Sequence, residues 1–228
     1  MNRHSTNNIL VREEIDLLLK DLPDSSAPET DEDGPGAVSQ TCGDRIIRGG
    51  MPLLERVGEH FCVLFADSLR GVLRHKAAVE LVSVDVTRFS ELFVSLTQPA
   101  SITHFQLGDM RGAGSLGMDS KLALGFVEDM LGGGGARTYG SRKGYTAIER
   151  SVIELVARLV LERMNRAWEP VITTNFTLPD EGGCACYIPS GAVCLRMAFE
   201  VGIEELAGAM YFCLPMTALK PHRNELGG

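Results

Sequence analysis

The sequence predicts a layered α/β fold in which long helices pack on a sheet, and three observations support this. Two long amphipathic segments, over about 53–73 and 146–168, have the apolar spacing of helices. Each is followed by a strand-like segment, and the recurrence after roughly 95 residues indicates a weak internal repeat. Strict alternation over 193–203, followed by apolar residues over 208–214, predicts a hairpin. Helices mixed with half-buried strands form layers around one core.

The first long helix and the strand after it are predicted from periodicity. The apolar face of the helix is expected at Leu54, Val57, Phe61, Leu64, Phe65, Leu69 and Val72. In the next segment, Val82, Val84 and Val86 alternate with Ser83 and Asp85. This alternation predicts a strand with one buried face.

The second long helix has a start signal and a polar face. Thr146 and Glu149 fit a capping box at its N-terminus. One edge of its buried face is expected at Ile148, Val152, Leu155 and Leu159. Charges of alternating sign recur every four residues and predict a solvated face at Arg150, Glu154, Arg158, Glu162 and Arg166. Pro170 ends the helix, and 171–178 is predicted to be another strand.

Glycines cluster at two places. Gly112, Gly114 and Gly117 spell G-x-G-x-x-G, but the preceding segment is not an apolar strand and no acid follows at the spacing of a dinucleotide site. We therefore predict a turn and a short strand there, before a helix that begins near Asp119. The second cluster, Gly132–Gly135, follows that helix and exceeds what a helix stop needs. Locally, it is either a turn or a backbone that admits a partner closely.

Ahead of the domain, a short amphipathic segment and an acidic linker are predicted. An apolar stripe runs through residues 9–22 at Val11, Ile15, Leu18 and Leu22. Acids stand at its start, where a helix dipole favours them, at Glu13, Glu14 and Asp16. A helix of this length is marginal in water, so we expect it to be ordered only when its stripe is covered. Residues 23–44 are acidic, lack Lys and Arg, and are predicted to be a disordered linker to a domain over 45–228.

Composition excludes several classes of function. The formal net charge of -8 argues against nucleic acid, because phosphate binding needs clustered Lys and Arg. The chain has no apolar run long enough to span a membrane, and its polar start is unlike a signal peptide. The six cysteines lack zinc-site spacing and are predicted to be free, partly buried thiols. The five histidines are scattered, so no catalytic residue, metal or cofactor is predicted.

Several segments, in order, resemble the FliM family of flagellar switch proteins. Residues 10–18, with the sequence LVREEIDLL, resemble the family's N-terminal peptide, L-S-Q-x-E-I-D-x-L-L. Residues 72–92 are similar to the segment around the first strand of the family's middle domain. Residues 119–135 match its helix ending in G-G-x-G, and residues 146–171 match its second long helix with the ending W-x-P-V. The resemblance implies a pseudo-two-fold layered domain like CheC and the FliM middle domain, with long helices on a mixed sheet and a flexible N-terminal tail.

The resemblance implies a structural and signal-receiving subunit of the flagellar switch ring rather than an enzyme. Its place would be the flagellar basal body, at the cytoplasmic face of the inner membrane without direct insertion, where it controls rotation in chemotaxis. Phosphorylated CheY is expected to bind the N-terminal peptide at Leu10, Glu13, Glu14, Ile15, Asp16, Leu17 and Leu18. FliG is expected to bind the middle domain at Gly132, Gly133, Gly134 and Gly135. Neighbouring copies are expected to pack side by side in the ring.

The chain departs from the family pattern in two respects. Val11 and Arg12 replace the usual Ser and Gln, so the helix start lacks its expected cap. At residue 228 the family continues into a FliN-like domain, so we expect a fragment or a short member of the family, with attachment to FliN in doubt.

The alternative is a CheC-type phosphatase acting on phosphorylated CheY. Such enzymes carry an acid or Ser, then Glu, then Asn on one helix. Glu162 and Asn165 have the required spacing here, but Arg158 stands at the first position. In the first long helix, Glu59 is followed three residues later by Cys62. Neither helix supplies both the carboxylate and the amide needed to orient water.

Overall fold

The computed structural model of the protein describes residues 47–48, 51–92, 94, 96, 98–108, 110, 112–132, 144–179, 188–204 and 206–222. The predictions for residues 1–22 and 23–44 lie outside these ranges. Gly133, Gly134 and Gly135 also lie outside them, as do three of the six cysteines, Cys42, Cys184 and Cys186.

The described elements follow the predicted alternation of long helices and strands. They are β1 (Ile47–Arg48), α1 (Pro52–Val72), β2 (Ala77–Arg88), β3 (Ser101–Gln106), β4 (Ala113–Met118), α2 (Ser120–Leu131), α3 (Ala147–Trp168), β5 (Val193–Ile203), β6 (Leu206–Pro215) and α4 (Met216–Leu219). Both long helices and the closing hairpin are confirmed. Within the described ranges, no helix is both long and apolar enough to cross a lipid bilayer.

The described strands form one sheet in the order β1-β2-β5-β6-β4-β3. The α/β fold class is confirmed, but the sheet is not mixed, because every described strand pair is antiparallel. Short connections join β3 to β4 and β5 to β6. A hairpin can make only antiparallel neighbours, whereas a parallel pair needs a long crossover.

The sheet has the pseudo-two-fold symmetry that the family resemblance implies. An isolated antiparallel bridge joins Gln106 of β3 to Thr177, which places the segment after α3 at the outer edge of β3. A two-fold axis between β6 and β4 then exchanges this segment with β2, β5 with β3, and β6 with β4. The same operation relates α1 to α3, since each long helix leads into one outer position of the sheet.

The segment 171–178, predicted to be a strand, forms only that single bridge. The side chain of Asn165 on α3 holds its backbone instead. The Phe176 amide donates to Asn165 Oδ1 at 2.8 Å, and the Phe176 carbonyl accepts from Asn165 Nδ2 at 3.1 Å. The Thr174 hydroxyl donates to the same Oδ1 at 2.9 Å. A side chain therefore takes the backbone groups that a strand would have paired.

The helices cover one face of the sheet and enclose an aromatic core with it. The ring of Phe61 on α1 lies 4.8 Å, centroid to centroid, from Phe199 on β5. On the same face of the sheet, towards β3, three buried rings pack at centroid distances between 5.0 and 5.6 Å: Phe105, Phe176 and Phe212. These two groups lie in one continuous core. Burial of large aromatic side chains is a major source of folding free energy.

Strand β2 contains a bulge between Leu81 and Ser83, where it pairs with β5. Val82 is the inserted residue and is 64% exposed, whereas Val84 is only 2% exposed. The prediction that Val82 shares a buried face with Val84 and Val86 is therefore wrong. An extra residue interrupts the alternation of a strand. Residues separated by an even number of positions across it therefore point to opposite faces of the sheet.

The first glycine cluster forms the turn and strand that we predicted. Gly112 has a φ of +120°, which favours glycine, in the turn before β4. A Cβ on Gly114 would collide with Cζ of Phe105 on the neighbouring strand. The glycines of this cluster therefore allow a tight turn and the close packing of an aromatic ring.

The apolar edge predicted on α3 is only partly buried. Ile148 and Leu155 are 67% and 53% exposed, and Val152 and Leu159 are half-buried. The buried residues of α3 lie beside this edge and include Ile153, Val156, Val160, Leu161 and Met164. The predicted polar stripe is confirmed, because all five of its charged residues are exposed.

On the face of the sheet opposite the helices, Asp85 of β2 is buried and forms two hydrogen bonds with Arg196 of β5. Arg196 Nε and Nη2 each donate to one carboxylate oxygen at 2.9 Å. The Ser83 hydroxyl donates to Asp85 Oδ2, also at 2.9 Å. Removal of one partner from such a pair leaves a desolvated charge without compensation.

We therefore expect Asp85→Ala to lower the free energy of unfolding by about 3 kcal/mol. The matched control is Arg158→Ala, which breaks the exposed 2.7 Å pair with Glu154 and should cost less than about 1 kcal/mol. Urea unfolding followed by circular dichroism measures both. Equal effects of the two variants would contradict a stabilising role for the buried pair.

Candidate functional site

The helix that carries the second glycine cluster is tied to the sheet at its start. Asp119 caps α2, because its Oδ1 accepts a hydrogen bond from the Leu122 amide at 2.7 Å. Its Oδ2 accepts from the Ala209 amide of β6 at 2.9 Å, and its own amide donates to the Ala209 carbonyl at 3.1 Å. One residue thus both begins α2 and binds it to β6.

The end of α2 is a glycine in the left-handed conformation. Gly132 has φ +79° and ψ 29°, and its amide donates to the Glu128 carbonyl. Glycine adopts this conformation without the steric cost that a Cβ would bring. Gly132 is therefore the helix stop.

A cation lies directly against this first glycine. Nη1 and Nη2 of Arg74, two residues after α1, are both 2.6 Å from the position that a Cβ on Gly132 would occupy. A side chain at residue 132 would have to displace the guanidinium. The start of the glycine cluster is thus formed jointly by the end of α2 and the connection from α1 to β2.

A buried carboxylate joins the same two segments to the hairpin of β5 and β6. Asp129 of α2 accepts a hydrogen bond from the Arg74 amide at 2.6 Å and is also hydrogen-bonded to Nδ1 of His75. The other ring nitrogen of His75 lies 3.1 Å from Glu204 Oε1. Glu204 occupies the hairpin turn and has a φ of +54°. Three elements therefore meet within one turn of the glycine cluster.

The pKa of Asp129 is lowered by this arrangement. Burial alone would raise the pKa, but the hydrogen bonds from the His75 side chain and the Arg74 amide outweigh it. The carboxylate therefore stays ionised inside the domain. Its hydrogen bonds hold the last turn of α2 against the connection that carries Arg74.

The other side of the glycine segment is also anchored. The Tyr145 hydroxyl donates to the Pro99 carbonyl at 2.6 Å. The capping box predicted at the start of α3 is confirmed: the Thr146 amide donates to Glu149 Oε2 at 2.7 Å, and the Glu149 amide donates to Thr146 Oγ1 at 3.3 Å. Residues 133–143 therefore connect two helix ends whose positions are set by side-chain hydrogen bonds.

The pair of residues considered for a phosphatase has another role in the structure. The amide of Asn165 is occupied on both its oxygen and its nitrogen by the segment that contains Thr174 and Phe176. Glu162 lies on the exposed stripe, 3.4 Å from Arg163. Glu59 of α1 is exposed and Cys62 is buried. The geometry thus gives Asn165 a structural task rather than the orientation of a water.

The cysteines within the described ranges are Cys62, Cys194 and Cys213, which are buried and free as predicted. Burial raises the pKa of Cys62 and of Cys194 to about 12. A thiol with so high a pKa is a poor nucleophile at neutral pH. In the part of the chain that the structure describes, no three His, Cys, Asp or Glu side chains are placed to hold a metal ion.

The structure reveals residues around the glycine cluster that the sequence did not identify. Arg74, His75 and Glu204 are far from Gly132 in sequence and give no local signal. Asp129 does give a local signal in the sequence, because an acid between Val127 and Met130 lies on the apolar face of a helix. The residues predicted to bind CheY are outside the described ranges.

Solved structures with the same architecture define the class of domain. The crystal structure of the FliM middle domain from Vibrio alginolyticus matches with a TM-score of 0.66 and 25% identity, covering 76% of this chain and 99% of that one. A chain in the crystal structure of a FliG–FliM complex from H. pylori matches with a TM-score of 0.68 and 20% identity, covering 76% of this chain and 96% of that one. The described domain has the fold of a flagellar switch middle domain.

Sequence comparison identifies the family. The family model described as "Flagellar motor switch protein FliM" matches residues 47–228, and the chain belongs to that family. The FliM protein of Pseudomonas aeruginosa is 27% identical over 97% of this chain. The chain spans 71% of that relative's length, 66% of the relative from Borreliella burgdorferi and 60% of those from Caulobacter vibrioides.

We expect Asp129→Asn to destabilise the domain by about 1–3 kcal/mol at pH 7, because the hydrogen-bonded carboxylate is lost. The sign of the pH dependence follows from the lowered pKa. The stabilisation is complete above the ordinary value of 3.8 and disappears as the pH falls through the lower pKa of the folded state. Chemical unfolding of both proteins from pH 7 to pH 2 measures it. A constant difference over that range would contradict the assignment.

Proposed function

We propose that this chain is a structural and signal-receiving subunit of the flagellar motor switch, which binds FliG through its glycine cluster and phosphorylated CheY through its N-terminal segment. The proposed binding of FliG rests on the structure at the end of α2. Gly132 stops the helix, and side-chain hydrogen bonds anchor the described residues on both sides of positions 133–143. Membership of the FliM family supports the assignment to the switch.

Binding of FliG at Gly132, Gly133, Gly134 and Gly135 is supported by physical and comparative arguments. A run without Cβ atoms lets a partner approach the main chain and use its amides and carbonyls. Arg74, against Gly132, adds a positive charge at the edge of this surface. A FliM chain of the same fold has been solved in complex with FliG from H. pylori.

Binding of phosphorylated CheY is proposed for Leu10, Glu13, Glu14, Ile15, Asp16, Leu17 and Leu18. An amphipathic segment that folds on its partner is a ligand for an apolar groove. The linker after it raises the local concentration of captured regulator near the ring. The entropy lost on ordering keeps the affinity modest, which suits a reversible signal.

The proposed setting is the switch ring at the basal body, on the cytoplasmic face of the inner membrane, with neighbouring copies side by side. The protein would act there without inserting into the membrane and would control the direction of rotation in chemotaxis. The proposal does not include a CheC-type phosphatase activity, because the Asn165 amide is engaged in holding the backbone of Phe176. Attachment to FliN is not part of the proposal.

The glycine cluster is tested by Gly133→Leu. We expect this variant to bind FliG at least about tenfold more weakly, because the side chain blocks approach to the main chain. The matched control is Gly144→Leu, since a Cβ at Gly144 would meet no atom within 4 Å. Titration with FliG and urea unfolding should show a loss of affinity in the first variant alone, without a loss of stability. Equal affinities of the two variants would mean that the cluster is only a turn.

The N-terminal segment is tested by deletion of residues 1–22. Titration with phosphorylated CheY should then show no measurable binding, while the circular dichroism of the domain is unchanged. Ile15→Asp should weaken binding at least about tenfold, because a charge enters the apolar stripe. Asn8→Asp, which adds the same charge ahead of the stripe, is the control. Full affinity after deletion would disprove the assignment.

A further inference from the structure

A groove with apolar walls lies where the last turns of α1 and α2 meet α3. It is lined by Leu69, Val72, Leu73, Met130, Leu155 and Leu159. The partly exposed edge of α3 extends it towards Ile148, which is 67% exposed. Next to Met130, Leu131 is 58% exposed. Val72 and Leu155 in the wall of the groove are 40% and 53% exposed, so apolar side chains are left here for another chain segment to cover.

We infer that the chain's own N-terminal segment, residues 9–22, docks in this groove as a helix and must be displaced when phosphorylated CheY binds. The docking itself is independent of the proposed function. The competition rests on the proposed binding of CheY, because the domain and CheY would then use the same apolar stripe.

The spacing of apolar residues is the first argument. The segment carries its stripe at Val11, Ile15, Leu18 and Leu22. The edge of α3 carries Ile148, Val152, Leu155 and Leu159, which repeat the same intervals of four, three and four residues. Two helices with matching stripes at these intervals can interlock side chains along several turns. The intervals are the same in either direction, so spacing alone allows both orientations.

Charge selects one orientation. At the end of the groove formed by α1 and α2, the Arg74 guanidinium lies at Gly132, and the exposed Arg70 beside Leu69 is paired with Asp67 at 3.3 Å. Arg74 is therefore the cation that an acidic partner would meet at this end. That end adjoins Leu155 and Leu159 of α3, whereas Ile148 lies at the opposite end. The acidic residues of the segment are concentrated at its beginning, at Glu13, Glu14 and Asp16. Opposite charges meet when the segment runs antiparallel to α3.

The length of the connecting chain is compatible with this contact. Residues 23–46 join the segment to β1. A flexible linker of that length has an end-to-end distance on the order of 25–30 Å, which is comparable with the size of a domain. A tether of this reach gives an effective concentration in the millimolar range. Weak contacts with the groove are therefore enough to populate the docked state.

Hydrogen exchange of the full chain, followed by mass spectrometry, tests the docking. We expect the amides of residues 9–22 to exchange at least about tenfold faster in Ile148→Asp/Leu155→Asp than in the wild type. Both substituted side chains are more than half exposed, so the domain should fold. Val82→Asp is the control, since Val82 is equally exposed, at 64%, on the bulge of β2. Arg74→Glu should also accelerate exchange, because it reverses the charge of the side chain that would face the acidic residues of the segment.

Equal exchange in the wild type and the double variant would overturn the inference. Protection that increases with protein concentration would also overturn it, since the occupant would then be a second copy. The competition is measured separately by titration with phosphorylated CheY. The double variant should bind CheY several-fold more tightly than the Val82→Asp control, because no docked segment has to be displaced. An unchanged affinity would disprove the competition, and absence of CheY binding in every protein would disprove only the proposed function.

Discussion

Two long helices share one face of a six-stranded sheet, and their packing determines where every other element can lie. Phe61 of α1 contacts Phe199 of β5, while Trp168 at the end of α3 is fully buried. The pseudo-two-fold axis between β6 and β4 assigns each helix to one half of the sheet. Because both helices lie on the same face, α2 must pack in the space that remains beside β6 and α3. This placement of α2 sets the position of Gly132, the residue at which the cluster Gly132–Gly135 begins.

The parts of the fold that could be predicted are those with local causes. The capping box at Thr146, the helix stop at Gly132 and the alternation in β5 depend on neighbours a few residues away. The bulge at Val82 could not be predicted, because a register shift depends on how two distant strands align. The exposure of Leu155 was also missed, since periodicity shows that a helix has an apolar edge but not whether a partner covers it.

The same distinction applies to the candidate site. The glycines are contiguous and were recognised from the sequence, whereas Asp129 and His75 are separated by 54 residues and meet only in the folded chain. The spacing of Glu162 and Asn165 fits a catalytic pattern, yet Asn165 holds the segment after α3. A spacing motif on a helix gives the relative positions of two side chains. It does not give the third group that competes for their hydrogen bonds.

The symmetry of the fold explains why a cluster such as Gly132–Gly135 follows only one of the two related helices. The element that follows β4 is α2, with 12 residues, whereas the related element that follows β6 is α4, with only 4. The additional turns of α2 carry Asp129 and reach the connection that contains Arg74. These contacts need the length of α2, so the short α4 cannot reproduce them on the other half. The repeated layers thus support α2, and the proposed binding surface begins at the end of this helix, which is the element that breaks the repeat.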